Sequence, residues 1–263
     1  MNTEAAPYQF VRVNREERVS VIAISRPEAR NALNRAAHDE MDRALNDFAA
    51  DESQWVAIIT GAGDKAFCAG QDLKEPTSDL RNAFPATGFG GITSRDNLNK
   101  PVIAAVNGMA FGGGFEIALA CDLIVAHERA EFALPEVRVG LAAVAGGFHR
   151  LPREIGLKRA MGMLLTGRRV SAREGHALGF VHEVVTDDAL VAARRLAAEI
   201  LACSPMSVRA TKEAVMRGQD VSVPQALNDQ WQYPAVEAMF RSEDAAEGPA
   251  AFAAKRPPVW RGR

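Results

Sequence analysis

Apolar and polar positions change period several times along this chain. Short β-branched runs at 10–13 and 19–25 predict two strands, joined as a hairpin around 14–17. Over 35–50 the apolar residues Met41, Leu45 and Phe48 return at helical intervals, which predicts an amphipathic helix. WVAIITG at 55–61 and KPVIAAVNG at 100–108 are apolar runs ended by glycine and read as buried strands. GGFEIALA, 113–120, reads as a helix and DLIVAHE, 122–128, as a strand. Residues 72–91 are rich in Gly, Pro, Ser and Asn and read as an irregular binding or lid loop. Strands alternating with helices indicate an α/β fold with crossover connections.

The second half turns helical. LPREIGLKRAMGMLL, 151–165, reads as one amphipathic helix, its Met and Leu stripe facing the core. SAREGHALG opens with Ser171 and Glu174 at capping-box spacing and stops at Gly179. FVHEVV is a strand, and 187–203, 205–218 and 224–240 read as three successive helices. One more short helix precedes Pro257 and Pro258. The change near 204 divides the chain into a core over 1–203 and a helical region over 204–263, which docks on its own core or on a neighbouring subunit.

Composition narrows the function classes. A chain of 263 residues, 48% hydrophobic and 24% charged, can bury its own core without staples. A net charge of -2 leaves no basic footprint for nucleic acid. Three scattered cysteines suit a reducing, cytoplasmic setting better than a disulfide framework, and no histidine pair has metal-ligand spacing. Neither a secretory leader nor an apolar run long enough to cross a membrane is legible.

Three stretches invite a chemical reading. GAGDKA, 61–66, matches a dinucleotide-binding fingerprint, but no helix opens at once and no acidic strand end follows, so it reads as a tight turn. Cys68 lacks a neighbouring base and reads as a buried thiol, while His149 is open between a pocket residue and a structural one. The third stretch, AFGGGFEIALACD, is the most telling. Three glycines, each about 1 kcal/mol worse than alanine inside a helix, run into an apolar helix. Glycine lets backbone approach a ligand, and a helix N-terminus presents unpaired N–H groups. Gly112, Gly113 and Gly114 thus read as N–H donors to an anion or polarised oxygen, and FCAGQDLKE upstream offers a second donor. Glu116 lies one turn beyond Gly113. Glu136, in FALPEVRVG, is twenty residues further on, enough for one strand out and a loop back. Each glutamate alone also fits a helix-start or surface-turn role; together, beside two N–H donors, they form an acid–base pair.

KAFCAGQDLKE, KPVIAAVNGMAFGGGFEIALACD and FALPEVRVG, in this order, resemble the crotonase (enoyl-CoA hydratase/isomerase) superfamily. The resemblance runs from RPEARNALN to the C-terminus. It implies a crotonase-like spiral of repeated ββα units with a C-terminal helical trimerisation region, assembling as a homotrimer or a hexamer of two trimers. It further implies acyl-CoA thioester substrates and no metal or redox cofactor. Matched position by position, Gln71 and Gly113 correspond to the two oxyanion N–H donors, and Glu116 and Glu136 to the two glutamates of the hydratases. Lys65, Ala69, Asp72, Leu73 and Lys74 fall where the family lines the CoA channel, Arg30 where it meets nucleotide phosphates, and Phe252 and Lys255 where the tail closes over CoA. The chain departs from the family at Ala143, Phe148 and His149, around the acyl end. The resemblance therefore implies a hydratase converting a 2-enoyl-CoA to a 3-hydroxyacyl-CoA. Alternatives are an isomerase, a specialised dehydratase (the tail SEDAAEGPAAFAAKRPPVWRGR resembles carnitinyl-CoA dehydratases) or a non-catalytic acyl-CoA binder.

Overall fold

In the computed structural model, which describes residues 8–74 and 84–263, consecutive strands pass from one sheet to another and back. β1 (Val11–Glu16) and β2 (Val19–Ile24) form an antiparallel hairpin as expected, but its turn lies at 17–18 and not around 14–17, because residues 14–16 pair with β2. α1 (Arg35–Ala50) has the bounds that its periodicity predicts, and the Asn34 side chain caps it by accepting the Ala37 N–H. β3 (Val56–Gly61), β5 (Val102–Val106), β7 (Leu123–His127) and β10 (Glu183–Val185) extend the first sheet in parallel, in the order β1-β2-β3-β5-β7-β10. The second sheet is made of short strands: β4 (Ala66–Cys68), β6 (Met109–Phe111), β8 (Glu131–Ala133) and β9 (Val170–Ser171), in that order. Each circuit thus visits the first sheet, then the second, then a helix or loop, and advances one strand position.

β3 explains why both faces of the first sheet are apolar. Its Ala57 and Ile59 join the larger core with Phe48, Phe67 and Phe115. Val56 and Ile58 point the other way, onto Ala189, Ala192, Ala193 and Ala197 of α6 (Ala189–Leu201). A parallel strand buried on both faces needs a continuous apolar run, and WVAIITG supplies one. α2 (Gly113–Ala120) is buried along nearly its whole length, and Phe115, Phe132 and Phe180 meet with ring centroids 5.1–5.2 Å apart.

Several expectations need correction. The 151–165 helix is two, α3 (Gly147–Ile155) and α4 (Leu157–Leu164), because Gly156 adopts φ 81, ψ 152 between them. After α5 (Ala172–Leu178) and α7 (Pro205–Gly218), the 224–240 helix is also two. α8 (Val223–Asp229) ends, a short 3-10 turn follows, and Pro234 opens α9 (Pro234–Arg241), where its missing N–H is not needed. α10 (Glu243–Ala253) follows, and its tail returns to the core, with Trp260 Nε1–H donating to Ala202 O at 2.8 Å. Glu136 lies on a 3-10 helix, Pro135–Val139, that Pro135 opens. The path from Glu116 to Glu136 crosses two strands, β7 and β8, not one. GAGDKA runs into β4 and not into a helix, as a tight turn does. Residues 75–83 of the 72–91 loop lie outside the described residues, as do 1–7. No helix among the described residues is long and apolar enough to cross a membrane.

Asn31 holds the turn before β4 in place. It is fully buried, its Nδ2 donates to Ala62 O (3.0 Å) and Ala66 O (2.8 Å), and its Oδ1 accepts the Arg26 N–H. Asn31→Ala leaves those groups unpaired away from water, and we expect a loss of about 1–3 kcal/mol in urea denaturation. An unchanged midpoint would show that the turn holds without it.

Candidate active site

The second sheet places the site. β4, β6 and β8 run parallel, with Cys68 beside Ala110 and Phe111 beside Ala133. Whatever follows each strand therefore emerges at one end of the sheet, side by side. After β4 comes 69–72, after β6 the glycines and α2, and after β8 the Pro135–Val139 helix. Gln71, Gly113, Glu116 and Glu136 are thereby gathered from three separate motifs.

The glycine triplet now has a physical account. Gly112 adopts φ 55, and a Cβ there would lie 3.0 Å from Glu136 Oε1. A Cβ on Gly113 would enter the Phe89 ring, and one on Gly114 would collide with the Cys68 carbonyl. Only bare backbone lets α2 start this close to β4 and to the Glu136 carboxylate. Gly113 is the first residue of α2, so its N–H has no intrahelical partner. Gly70 packs against it: a Cβ on Gly70 would lie 3.2 Å from the Gly113 nitrogen.

Gln71 forms a parallel bridge with Leu33, which accepts Asp72 N–H (2.9 Å) and donates to Gly70 O (2.8 Å). Bridge geometry then turns the Gln71 N–H away from Leu33. The neighbouring Asp72 carboxylate pairs with Arg26 at 2.9 Å, both side chains only 12% exposed. Asp72 thus ties the loop to 26–33.

Glu116 is 3% exposed, and its Oε1 accepts the Gly147 N–H at 2.8 Å, at the N-terminus of α3. Burial drives its pKa up to about 7, with Glu136 adding to the rise, while the Gly147 and Ala145 N–H groups and Arg150 oppose it. Burial also raises the pKa of Glu136, offset in part by its own N–H. Glu136 Oε2 is buried and has no hydrogen-bond partner among the described residues. Glu116 thus retains its proton toward the neutral range, partly because the Glu136 carboxyl is its neighbour.

Other predicted positions divide into two groups. Arg30 and Lys65 face each other across a cleft of about 200 Å³, with Pro27, Asn31, Gly63 and Asp64 completing its walls. Ala69 N–H donates to Arg30 O at 3.1 Å, linking that cleft to the Gln71 loop. Leu73 is 68% exposed, and Lys74 is exposed beside it. Phe252, 87% exposed, and Lys255 stand on α10 and just after it, and α10 packs on α9. The chain's own fold does not join them to the glutamate pair by any hydrogen bond or ring contact among the described residues. Phe148 and His149 are exposed, their rings 6.5 Å apart, so His149 is no buried pocket group. Cys68 is fully buried and its thiol is pushed up to about 12, which leaves it inert.

Sequence reasoning missed His38, which is fully buried within hydrogen-bond distance of Gln71. One signal was there: position 38 falls on the apolar stripe of α1 with 41, 45 and 48. A polar residue on a buried stripe needs a partner.

Fold and site together define an enzyme of the crotonase type. The chain matches the family model for enoyl-CoA hydratase/isomerase over residues 14–263 and belongs to that family. It is 43% identical over 254 residues to the carnitinyl-CoA dehydratase of Proteus mirabilis (strain HI4320), covering 92% of this chain and 94% of that one. To the carnitinyl-CoA dehydratase of Escherichia coli (strain K12) it is 42% identical over 267 residues, covering 97% and 99%. The crystal structure of enoyl-CoA hydratase from Mycobacterium tuberculosis H37Rv is similar with a TM-score of 0.89 at 40% identity, over 97% of this chain and 99% of that one. That of enoyl-CoA hydratase from Bacillus anthracis gives 0.89 at 36%, over 97% and 100%.

The raised pKa of Glu116 has a stability consequence. Its folded value lies above the 4.5 ordinary for a glutamate, so the native state binds more protons between about 4.5 and about 7. Stability from this group therefore falls as pH rises through that window. Glu116→Gln should raise the unfolding free energy at pH 8 by on the order of 1–3 kcal/mol and bring no gain at pH 4. Urea melts at both pH values decide it; a pH-independent difference would contradict the assignment.

Proposed function

We propose that this protein reversibly adds water to a 2-enoyl-CoA, forming a 3-hydroxyacyl-CoA. The observation that carries the reading is the gathering of a buried carboxyl, Glu116, a half-buried one, Glu136, and two main-chain N–H groups at one end of a parallel sheet. In this reading the thioester carbonyl accepts hydrogen bonds from the Gln71 and Gly113 N–H groups. They stabilise the negative charge that develops on that oxygen, and the α2 N-terminus adds its dipole. Glu116 takes a proton from water as the water oxygen bonds to C3. The electron pair of the double bond moves toward C2 and the carbonyl oxygen, and Glu136 delivers a proton to C2. The mechanism requires Glu116 ionised and Glu136 protonated at the start of hydration; the Gly147 N–H favours that ionised form of Glu116 against the burial that raises its pKa. In dehydration the roles exchange.

Arg30 and Lys65, beside their cleft, meet the phosphates of CoA. Ala69, Leu73 and Lys74 border the same route, and Phe252 and Lys255 act on CoA after assembly. Chains associate as a trimer or a pair of trimers through exposed apolar residues of the helical region, including Leu227, Trp231 and Phe240, which are 58–60% exposed. The chemistry calls on no cofactor beyond the CoA carried by the substrate.

A second reading has its own support. The relatives at 42–43% identity are named carnitinyl-CoA dehydratases, and 92–97% of this chain aligns with them. The same site would then run in the dehydrating direction on a specialised 3-hydroxyacyl-CoA. Water removal and addition both use two glutamates, so this reading changes the acyl group and leaves the catalytic roles intact.

We expect Glu136→Gln to lower kcat on crotonyl-CoA by about 10²–10⁴-fold while CoA-ester binding survives in calorimetry. The loss of enoyl-thioester absorbance reports turnover, and near-normal rates would remove the acid–base pair. Rates on crotonyl-CoA, a 3-enoyl-CoA and carnitinyl-CoA rank the readings: fastest turnover of carnitinyl-CoA favours the dehydratase, and of the 3-enoyl ester an isomerase.

A further inference from the structure

We propose that His38 is a positioning residue that sets both main-chain donors of the oxyanion site from behind. The inference rests on the reading of Gln71 and Gly113 given above and adds to it what holds them in place. His38 Nδ1 accepts the Gly90 N–H at 3.0 Å. That leaves the proton of the neutral ring on Nε2, which lies 3.0 Å from Gln71 Oε1 and donates to it. One ring thus grips two loops. On one side it orients the Gln71 side chain, and through it the residue whose N–H faces the substrate. On the other it fixes Gly90, next to Phe89.

Phe89 completes the link to the second donor. Its ring stacks edge-on against His38, with centroids 4.5 Å apart, and occupies the space a Cβ on Gly113 would need. The loop bearing Phe89 is itself pinned to α1. Asp42 receives Thr87 Oγ1–H at 2.5 Å and Arg95 Nη2–H at 2.8 Å, and a Cβ on Gly91 would run into the Asp42 backbone. α1 therefore serves as the common support, and its His38 side chain is bonded to both loops. Catalytic donors tolerate displacement poorly: an error of about 1 Å can lower rate a hundredfold. A buried histidine in contact with neither substrate nor glutamate can thus govern turnover.

Two substitutions separate this role from a merely structural one. In His38→Asn the amide oxygen stands in for Nδ1 and keeps the Gly90 bond, but nothing reaches Gln71. In His38→Gln the amide nitrogen stands in for Nε2 and keeps the Gln71 bond. We expect His38→Asn to lower kcat on crotonyl-CoA by about tenfold with KM unchanged, and His38→Gln to recover most of it. Equal losses in the two variants, or a loss confined to KM, would overturn the proposal.

A second measurement needs no turnover. Crotonyl-CoA carrying a ¹³C carbonyl, bound to Glu136→Gln protein, should show its thioester stretch moved to lower frequency in infrared difference spectra. Adding His38→Asn should return part of that shift. An identical shift in both proteins overturns the role of His38 alone. No shift even in the Glu136→Gln protein overturns the donor pair, and His38 with it.

Discussion

Parallel pairing among three strands of three residues each is the constraint on which the site depends. β4, β6 and β8 are short, but their register places three chain exits side by side. A slip of one residue in any of them would turn its exit to the other face. The donors would then separate from the carboxyls. The glycine triplet and the pairing act together, since β4 and α2 approach closely only where neither Gly113 nor Gly114 carries a side chain. Backbone proximity here precedes side-chain chemistry.

The same proximity governs the charges. Two carboxyls out of water beside each other are unfavourable when both are ionised, and burial raises both pKa values. The fold breaks their symmetry. Glu116 rests on the N-terminus of α3, where N–H groups and the helix dipole favour an anion. Glu136 projects from a short 3-10 helix with one oxygen unpartnered among the described residues. In the proposed reaction an acid and a base are drawn from the same residue type, and different backbone elements surround them. The Gly156 break between α3 and α4 belongs to this arrangement, because it lets α3 end and the chain turn back after presenting its N-terminus to Glu116.

Legibility followed element length. α1 and α2 could be read to the residue, because sixteen and eight positions suffice for periodicity, or for an apolar run with a glycine start, to show. The central strands of the first sheet, β2, β3, β5 and β7, were equally plain as apolar runs, whereas β1 (VRVNRE) was half hidden because it is polar. The second sheet was not, because three residues cannot display a period. Its pairing is decided by tertiary contacts, with Phe67, Phe115 and Phe132 buried between layers. Thus the candidate site was legible as a set of residues, and its geometry was not. Gln71 and Glu136 could be named from motifs, while the reason they meet lies in strands that carry no signal of their own. Asp72 shows what a motif does not display: its carboxylate pairs with Arg26, 46 positions away in sequence.

Main-chain donors have a further consequence for how such a site can change. An N–H group contributes the same hydrogen bond whatever side chain its residue carries, so position 71 is chemically free to vary so far as donation goes. Here that freedom is used: the glutamine side chain reaches the His38 ring and ties donor to scaffold. The acyl end is built differently. Ala143 is buried beside Gly147, whereas Phe148 and His149 stand exposed on the first turn of α3. α3 therefore anchors Glu116 through its first N–H while its next two side chains are not committed to the core. Substitutions there can alter what surrounds the acyl group without moving the carboxylate, because the bond to Glu116 is made by backbone. Under the proposed function, thioester activation and acyl recognition are thus separable on one scaffold, the first held by register and the second left to side chains.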